Sequence, residues 1–211
     1  MDIYGTSPPG AYVRARARRA PVRTAEPVAG AAGSRPAAEH AAPAPLPGGA
    51  VWDRCYNVGV LVAENIVLRP YEPADEAFIA PLAHEAFDEF TPRAVPHTLD
   101  MVQRFHTLVA LRAGRPVGFL TLSGRAGDVF VVQAIAVSRR DRGRGIGHRL
   151  MQAFESIAAA QHAQQLELCT ADCNLAALDL FLRRGFRIVR RRERFYDRGQ
   201  AACILVKSLT G

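Results

Sequence analysis

Arg142-Gly143-Arg144-Gly145-Ile146-Gly147 joins an apolar run, Val129 to Val137, to an amphipathic stretch from about His148 to Ala163. A glycine-rich turn between a predicted strand and a predicted helix is built to hold an anion. Glycine reaches positive φ at no steric cost and lets the backbone come close to a ligand. The first amides of the helix point outward unpaired, at the positive end of its dipole. An anion is therefore expected on the backbone of Arg142, Gly143, Arg144, Gly145, Ile146, Gly147 and His148.

Two familiar phosphate loops fail on single letters. The Walker pattern requires Lys followed by Ser or Thr after its last glycine, and the lone lysine of the chain is Lys207. The dinucleotide pattern G-x-G-x-x-G requires glycine where His148 stands. What remains, Arg142-x-x-Gly145-x-Gly147, fits [Gln/Arg]-x-x-Gly-x-[Gly/Ala]. It resembles the acetyl-CoA pyrophosphate loop of the GNAT N-acetyltransferases. Upstream, Ala134-Ile135-Ala136-Val137 resembles the fourth-strand segment of that family. Downstream, Asn174-x-x-Ala177-x-x-Leu180-Phe181-x-x-x-Gly185-Phe186 resembles its N-x-x-A-x-x-L-Y-x-x-x-G-F signature. Near the end, Arg192-x-Arg194-Phe195-Tyr196 is similar to the Arg-x-Asn-Tyr-Tyr strand of the ribosomal-protein and N-terminal-amine branch. The resemblance runs from about Glu64 to Leu209.

The resemblance implies an α/β fold, a mixed sheet with helices on its faces, in one GNAT acyl-CoA N-acyltransferase domain over residues 64–211. Its fourth and fifth strands would splay apart, leaving the amides of Ile135, Ala136 and Val137 to pair with pantetheine as an added strand would. Asn174 is implied as a further coenzyme contact, and it also reads as a helix N-cap before Leu175. The implied cosubstrate is acetyl-CoA, with no metal. The implied reaction moves an acetyl group to a primary amine, of a protein N-terminus or a small molecule, by direct attack in a ternary complex.

The family's proton carriers are a Glu on the fifth strand and the Tyr of L-Y-x-x-x-G-F. Alignment on Asn174 puts Cys169 and Phe181 at those positions. Tyr196 becomes the candidate catalytic residue, with Glu85 and Glu89 as further substitutes or substrate contacts. Proton carriage is not indispensable: a thiol with pKa around ~8.5 leaves tolerably unaided, and an α-amine near ~8 needs less help from a base than a lysine does. The loss of both carriers also opens a second reading, a noncatalytic acyl-CoA-binding module.

Hydrophobic spacing predicts the remaining elements. Ile66 to Arg69 reads as a strand, and Pro73 and Asp75 start a helix with Phe78, Ile79, Leu82, Ala86, Phe87 and Phe90 at helical spacing. Thr98 to Phe105 is a short helix. Leu108 to Leu111 and Val117 to Leu120 form a hairpin around Ala113-Gly114-Arg115-Pro116. Leu166 to Thr170 is a strand, Leu175 to Arg184 a helix ended by Gly185, and two strands follow, Phe186 to Tyr196 and Ala201 to Leu209.

The chain of 211 residues suits one such core plus a tail. Residues 1–55 are read as that tail, because Met1 to Gly49 is rich in Ala, Pro, Gly and Arg and offers little apolar surface to offset ordering entropy. It is expected to be disordered. Its Arg14-x-Arg16-x-Arg18-Arg19 cluster suits nucleic-acid contact or, more plainly, a solvated basic segment. No secretory pattern opens it, and its faint likeness to a transit peptide is opposed by its prolines. No run of about 18 apolar residues provides a membrane span.

Cys55, Cys169, Cys173 and Cys203 form no C-x-x-C pair, which fits reduced thiols in a cytoplasm. His84-Glu85-x-x-Asp88 lacks the second histidine of the H-E-x-x-H zinc helix, and no G-x-S-x-G supports a serine hydrolase. Part of the net charge of +7 comes from Arg183 to Arg198, which holds eight arginines against two acids. Such a basic face would attract phosphate-rich coenzyme A or an acidic substrate.

Overall fold

Strand periodicity dominates the front half of the domain, and helical periodicity enters on either side of it. In the computed structural model, which describes residues 66–124 and 128–209, seven strands form one sheet in the order β1-β2-β3-β4-β5-β7-β6. They are β1 Ile66–Pro70, β2 His106–Arg112, β3 Arg115–Gly124, β4 Val129–Val137, β5 Gln165–Ala171, β6 Arg187–Arg192 and β7 Ala202–Ser208. Four helices interrupt them: α1 Glu76–Phe87, α2 Ala94–Arg104, α3 Ile146–Ala160 and α4 Leu175–Arg183. The tail of residues 1–55, its arginine cluster and Cys55 lie outside the described residues.

The sheet is antiparallel except for β4 and β5, which α3 joins as a parallel crossover. Its two faces carry separate cores. On one, Ile79 and Leu82 of α1 and Met101 and Val102 of α2 pack against Phe119, Ala134 and Ala136. On the other, Leu150, Met151 and Phe154 of α3 and Phe181 of α4 pack against Leu108, Leu120, Phe130 and Leu168. Helical spacing in the sequence places Ile79 and Leu82, and Leu150 and Phe154, on the packed stripes of their helices, whereas β2, β3 and β4 are continuous buried runs because the sheet is covered on both faces.

Boundaries differ from expectation in several places: α1 stops at Phe87, leaving Phe90 in the turn beyond it, and β3 already begins at Arg115. α2 begins at Ala94, a turn before Thr98, since Pro96 falls in the first turn, where an amide hydrogen would be unpaired anyway. α3 begins at Ile146 and ends at Ala160, and His162 takes a left-handed φ of 56° just beyond it. β6 stops at Arg192, because Arg194 adopts φ 48° and turns the chain. Phe195 and Tyr196 therefore lie on a loop, where their amides both donate to Gln200 O at 3.0 and 3.1 Å. The stop after α4 is as read: Gly185 takes φ 84°, and the Phe186 amide returns to Phe181 O at 3.2 Å while the two rings meet edge to face.

Beneath the cradle, Glu155 of α3 accepts from Arg184 at 2.7 Å and from Lys207 of β7 at 3.0 Å. Burial works against the Glu155 charge, yet these two cations outweigh it and hold the carboxyl below its ordinary range. Glu155→Ala would leave both cations facing a partly buried hole. The expected loss is about 3 kcal/mol, read as a lower thermal midpoint.

Acid should act on a second group. Burial pushes His106 down to about 4, so between roughly pH 6.5 and 4 the unfolded chain binds a proton that the folded chain refuses. Stability is complete above the unfolded value and is lost as pH falls through that window, by at most about 3 kcal/mol. Plotted against pH, denaturant midpoints of the parent and of His106→Gln should differ in slope between those limits and run parallel outside them.

β6 is the outer strand, and from Arg187 to Arg191 every residue is exposed. The basic face read from the sequence is largely this strand, with Arg191 paired to Asp172 at 2.6 Å.

Candidate active site

β4 and β5 pair only from Val129↔Gln165 to Val131↔Glu167, and beyond that they part toward their carboxyl ends. Strand alternation determines what faces the gap. The Ser138 amide donates to Val117 O at 2.8 Å, so Ala136, opposite Phe119, also turns its backbone groups toward β3. Ile135 and Val137 turn theirs the other way, to the open side. Of the three expected backbone contacts, Ala136 belongs to the β3 ladder and the other two face the gap.

The glycine turn closes the end of this gap. Gly143 and Gly145 take φ of 73° and 77°, and a Cβ on either would meet nothing within 4 Å. Left-handed backbone, rather than crowding, demands glycine here, and open space lies above it. Gly145 caps α3, accepting the Arg149 amide at 3.0 Å. The amides of Ile146, Gly147 and His148 precede that first bond and form the free N-terminal edge of the helix. Gly147 has another reason: its Cβ would sit 3.3 Å from Leu180 Cδ2, so glycine lets α3 close on α4.

Arg142 and His148 of this stretch turn their side chains to other parts of the fold. Arg142 turns back, donating from Nε to Val137 O at 3.0 Å and lying 3.5 Å from Glu85 Oε1, which also accepts the Arg139 amide at 3.2 Å. Glu85, a candidate proton carrier by sequence, is thus a brace between α1 and the cradle. Glu89 is exposed, and its backbone carbonyl accepts from Gln200 Nε2 at 2.6 Å. Arg144 is exposed, and the His148 ring lies 3.0 Å from Arg184 Nη1.

Between the parted strands runs a cleft that reaches from one face of the sheet to the other. Phe90, Ala94, His97 and Met101 line it on the α1–α2 side, Asn174, Ala177 and Phe181 on the α4 side, with Ile135 and Cys169 on the strand edges and Tyr196 and Asp197 on the loop after β6. Asn174 fulfils its capping role, accepting the Ala177 amide at 3.3 Å, while lining the cleft. Phe181 is buried with its ring against Phe186, and it lines the cleft without offering a hydroxyl.

Tyr196 is firmly placed. Its ring lies between Phe90 and Phe195, at centroid distances of 5.3 and 5.1 Å, and its hydroxyl faces the Cys169 thiol. Burial raises the tyrosine well above its ordinary value, helped by Cys169. Burial likewise pushes the Cys169 thiol up to about 11, with Tyr196 opposing. Both stay protonated at neutral pH, so this pair can donate a hydrogen bond and cannot act as a base. The tyrosine loop is clasped to the end of α1: Thr91 Oγ1 donates to Asp197 at 2.5 Å, and Arg198 pairs with Asp88 at 3.3 Å.

His97 is the cleft residue that sequence reading overlooked. It stands on the stripe of Ala94, Thr98 and Met101, three residues after the first and four before the last, so helical spacing alone places it with cavity-lining neighbours. Burial lowers its basicity, with Arg93 acting in the same sense and Asp100 and Asp197 opposing. Among the described residues, no cluster of His, Cys, Asp and Glu gathers as a metal site, and no helix is long and apolar enough to cross a membrane.

Comparisons with known proteins bear on this geometry. A family model described as the acetyltransferase (GNAT) family matches residues 70–186. Ard1 from Thermoplasma volcanium is 23% identical, with 70% of this chain and 99% of that one covered at a TM-score of 0.62. Arabidopsis thaliana NAA60, solved in complex with acetyl-CoA, is 18% identical over 69% of this chain and 99% of its own, at a TM-score of 0.61. The ribosomal-protein-S18-alanine N-acetyltransferase of Escherichia coli is 17% identical over 69% and 95%, at a TM-score of 0.59. At such identities the likeness establishes a shared fold. No curated protein sequence matches the chain.

Proposed function

Because the chain belongs to the acetyltransferase (GNAT) family, we propose that it is an acetyl-CoA-dependent N-acetyltransferase acting on a primary amine, of a protein N-terminus or a small molecule. The observation that carries this reading is the junction of two features: a strand pair that parts after three residues, and a glycine-capped helix at the end of the gap. In the proposal the pyrophosphate lies on the amides of Gly143 to His148. Pantetheine runs along the outward-facing backbone of Ile135 and the amide of Val137, whose carbonyl Arg142 already holds, past Asn174, and brings the thioester into the cleft. A relative of the same fold is solved with acetyl-CoA, which supports that choice of cosubstrate.

The reaction proposed is direct attack in a ternary complex. The amine nitrogen adds to the thioester carbonyl, the C–S bond breaks, and the sulfur leaves with the electron pair. Tyr196 stabilises that sulfur by hydrogen bonding, which suits a phenol whose own ionisation is suppressed. Cys169 flanks the hydroxyl on the β5 side without fixing its proton, and Phe181 shields the site from water. Holding amine and carbonyl together supplies much of the acceleration.

A noncatalytic acyl-CoA-binding role is favoured by one specific observation, the absence of a carboxylate at Cys169 and of a hydroxyl at Phe181. Incubating the full chain with acetyl-CoA and a panel of amines separates the two. The panel should hold ribosomal-protein N-terminal peptides and polyamines, with release of free CoA thiol as the readout. Turnover with one acceptor class is expected. CoA binding without turnover on any member would establish the binding module.

A further inference from the structure

We propose that His97 is a catalytic residue of this chain, the base that takes a proton from the acceptor ammonium before attack. This inference rests on the acetyltransferase reading and names a group that neither the family resemblance nor the comparisons supply. It arises from the placement of chemistry in the cleft. Cys169 and Tyr196 both line the cleft and, pushed up by burial, hold their protons. Asp197 is exposed at the rim, and its carboxylate already accepts the Thr91 hydroxyl at 2.5 Å. His97 lines the cleft from α2, and among the described residues no hydrogen bond to its imidazole occurs.

The surroundings give that imidazole the properties of a base at neutral pH. The charged groups that act on it are Arg93 and Asp100 from its own helix and Asp197 from the loop across the rim. Burial is the largest influence and keeps the ring neutral, with a lone pair available. The apolar walls formed by Phe90, Ala94 and Met101 disfavour an ammonium entering charged, so proton loss on the way in is favourable. The acceptor approaches from the α1–α2 face, and the thioester comes from the cradle side.

Protons and electrons balance along this path. The ammonium gives one proton to His97 and becomes a neutral amine, whose lone pair forms the C–N bond. Collapse of the tetrahedral adduct breaks the C–S bond and sends the electron pair to sulfur. The second proton leaves nitrogen and ends on that sulfur as free thiol, while His97 returns its proton to solvent.

The experiment uses the full chain and the acceptor found by the amine panel, with CoA thiol release followed as a function of pH. His97→Gln should lower kcat about a hundredfold with the KM for acetyl-CoA unchanged. The acid limb of the parent profile, below the ordinary histidine value, should disappear in the variant. Asp197→Asn should move that limb to lower pH, since the carboxylate raises His97. A structural role would leave one readout unmoved: the defect of His97→Gln should shrink for a weakly basic acceptor that is already neutral at the assay pH. Added imidazole should restore part of the lost rate.

Calorimetry with CoA checks that His97→Gln is folded, and His97→Asn serves if it is not. Equal kcat and an unchanged acid limb in the folded variant overturn this assignment alone. A defect of the same size for strongly and weakly basic acceptors also overturns it, by making His97 structural. Absence of turnover by the parent with every amine overturns the acetyltransferase reading and this inference with it.

Discussion

Gly145→Glu is expected to abolish measurable CoA binding while leaving the fold standing. Gly145 sits at φ 77°, and no heavy atom lies within 4 Å of where its Cβ would be. The substitution therefore meets no clash inside the protein. It costs about 1–2 kcal/mol in left-handed backbone, and it sends a carboxylate into the space proposed for pyrophosphate. Steric exclusion and like-charge repulsion act together there, so a loss of at least about a thousandfold is expected, more than 4 kcal/mol at 1.4 per decade. Gly145→Ala isolates the backbone contribution and should weaken binding about tenfold. Calorimetry on both variants, with thermal midpoints as the folding control, decides the matter. Unchanged affinity in folded Gly145→Glu would remove the cradle from the mechanism.

The second large effect belongs to Tyr196. Tyr196→Phe keeps the ring between Phe90 and Phe195 and removes one hydroxyl, so the clasped loop should persist. Turnover should fall roughly a hundredfold, as when a single donor to developing negative charge is lost, while affinity for CoA stays within about twofold. Phe181→Tyr offers the complementary change, placing a hydroxyl where the family carries one. In the Tyr196→Phe background it should recover part of the lost rate, and in the parent it should do little. If neither hydroxyl affects a clearly measurable turnover, solvent serves the leaving sulfur and the tyrosine is a packing residue.

The fold was legible because its determinants are local. Val129 to Val137 is a strand with the bounds the apolar run suggested, and Gly185 ends α4 where a left-handed residue was required. The glycine turn was legible for the same reason: consecutive residues build it, and Gly143 and Gly145 take the left-handed backbone expected of them. What the sequence concealed depends on distant pieces meeting. Glu85 reads as a free carboxylate until the turn after β4 brings Arg139 and Arg142 against it. The strand expected for Tyr196 follows from the likeness of Arg192 to Tyr196 to a family strand, and a single left-handed residue, Arg194, turns the chain out of the sheet there. His97 went unremarked because a histidine on an amphipathic helix has no meaning until the opposite wall of the cleft is known. Its shared stripe with Ala94 and Met101 was the available clue.

The open side of β6 bears on how this molecule meets copies of itself. A sheet ending in a strand with exposed Ile188 and Val189, at 47% and 59% of full exposure, offers a second chain a ladder to extend. Arg187 and Arg190 stand exposed on that same strand, while Arg191 is paired with Asp172 and Glu193. Two such edges approaching antiparallel would bring guanidinium groups face to face, and like charges directly opposite destabilise strand pairing. The arginines thus insulate the sheet against runaway self-assembly. That insulation is electrostatic, so it weakens as salt shortens the reach of charge toward about 3 Å at 1 M.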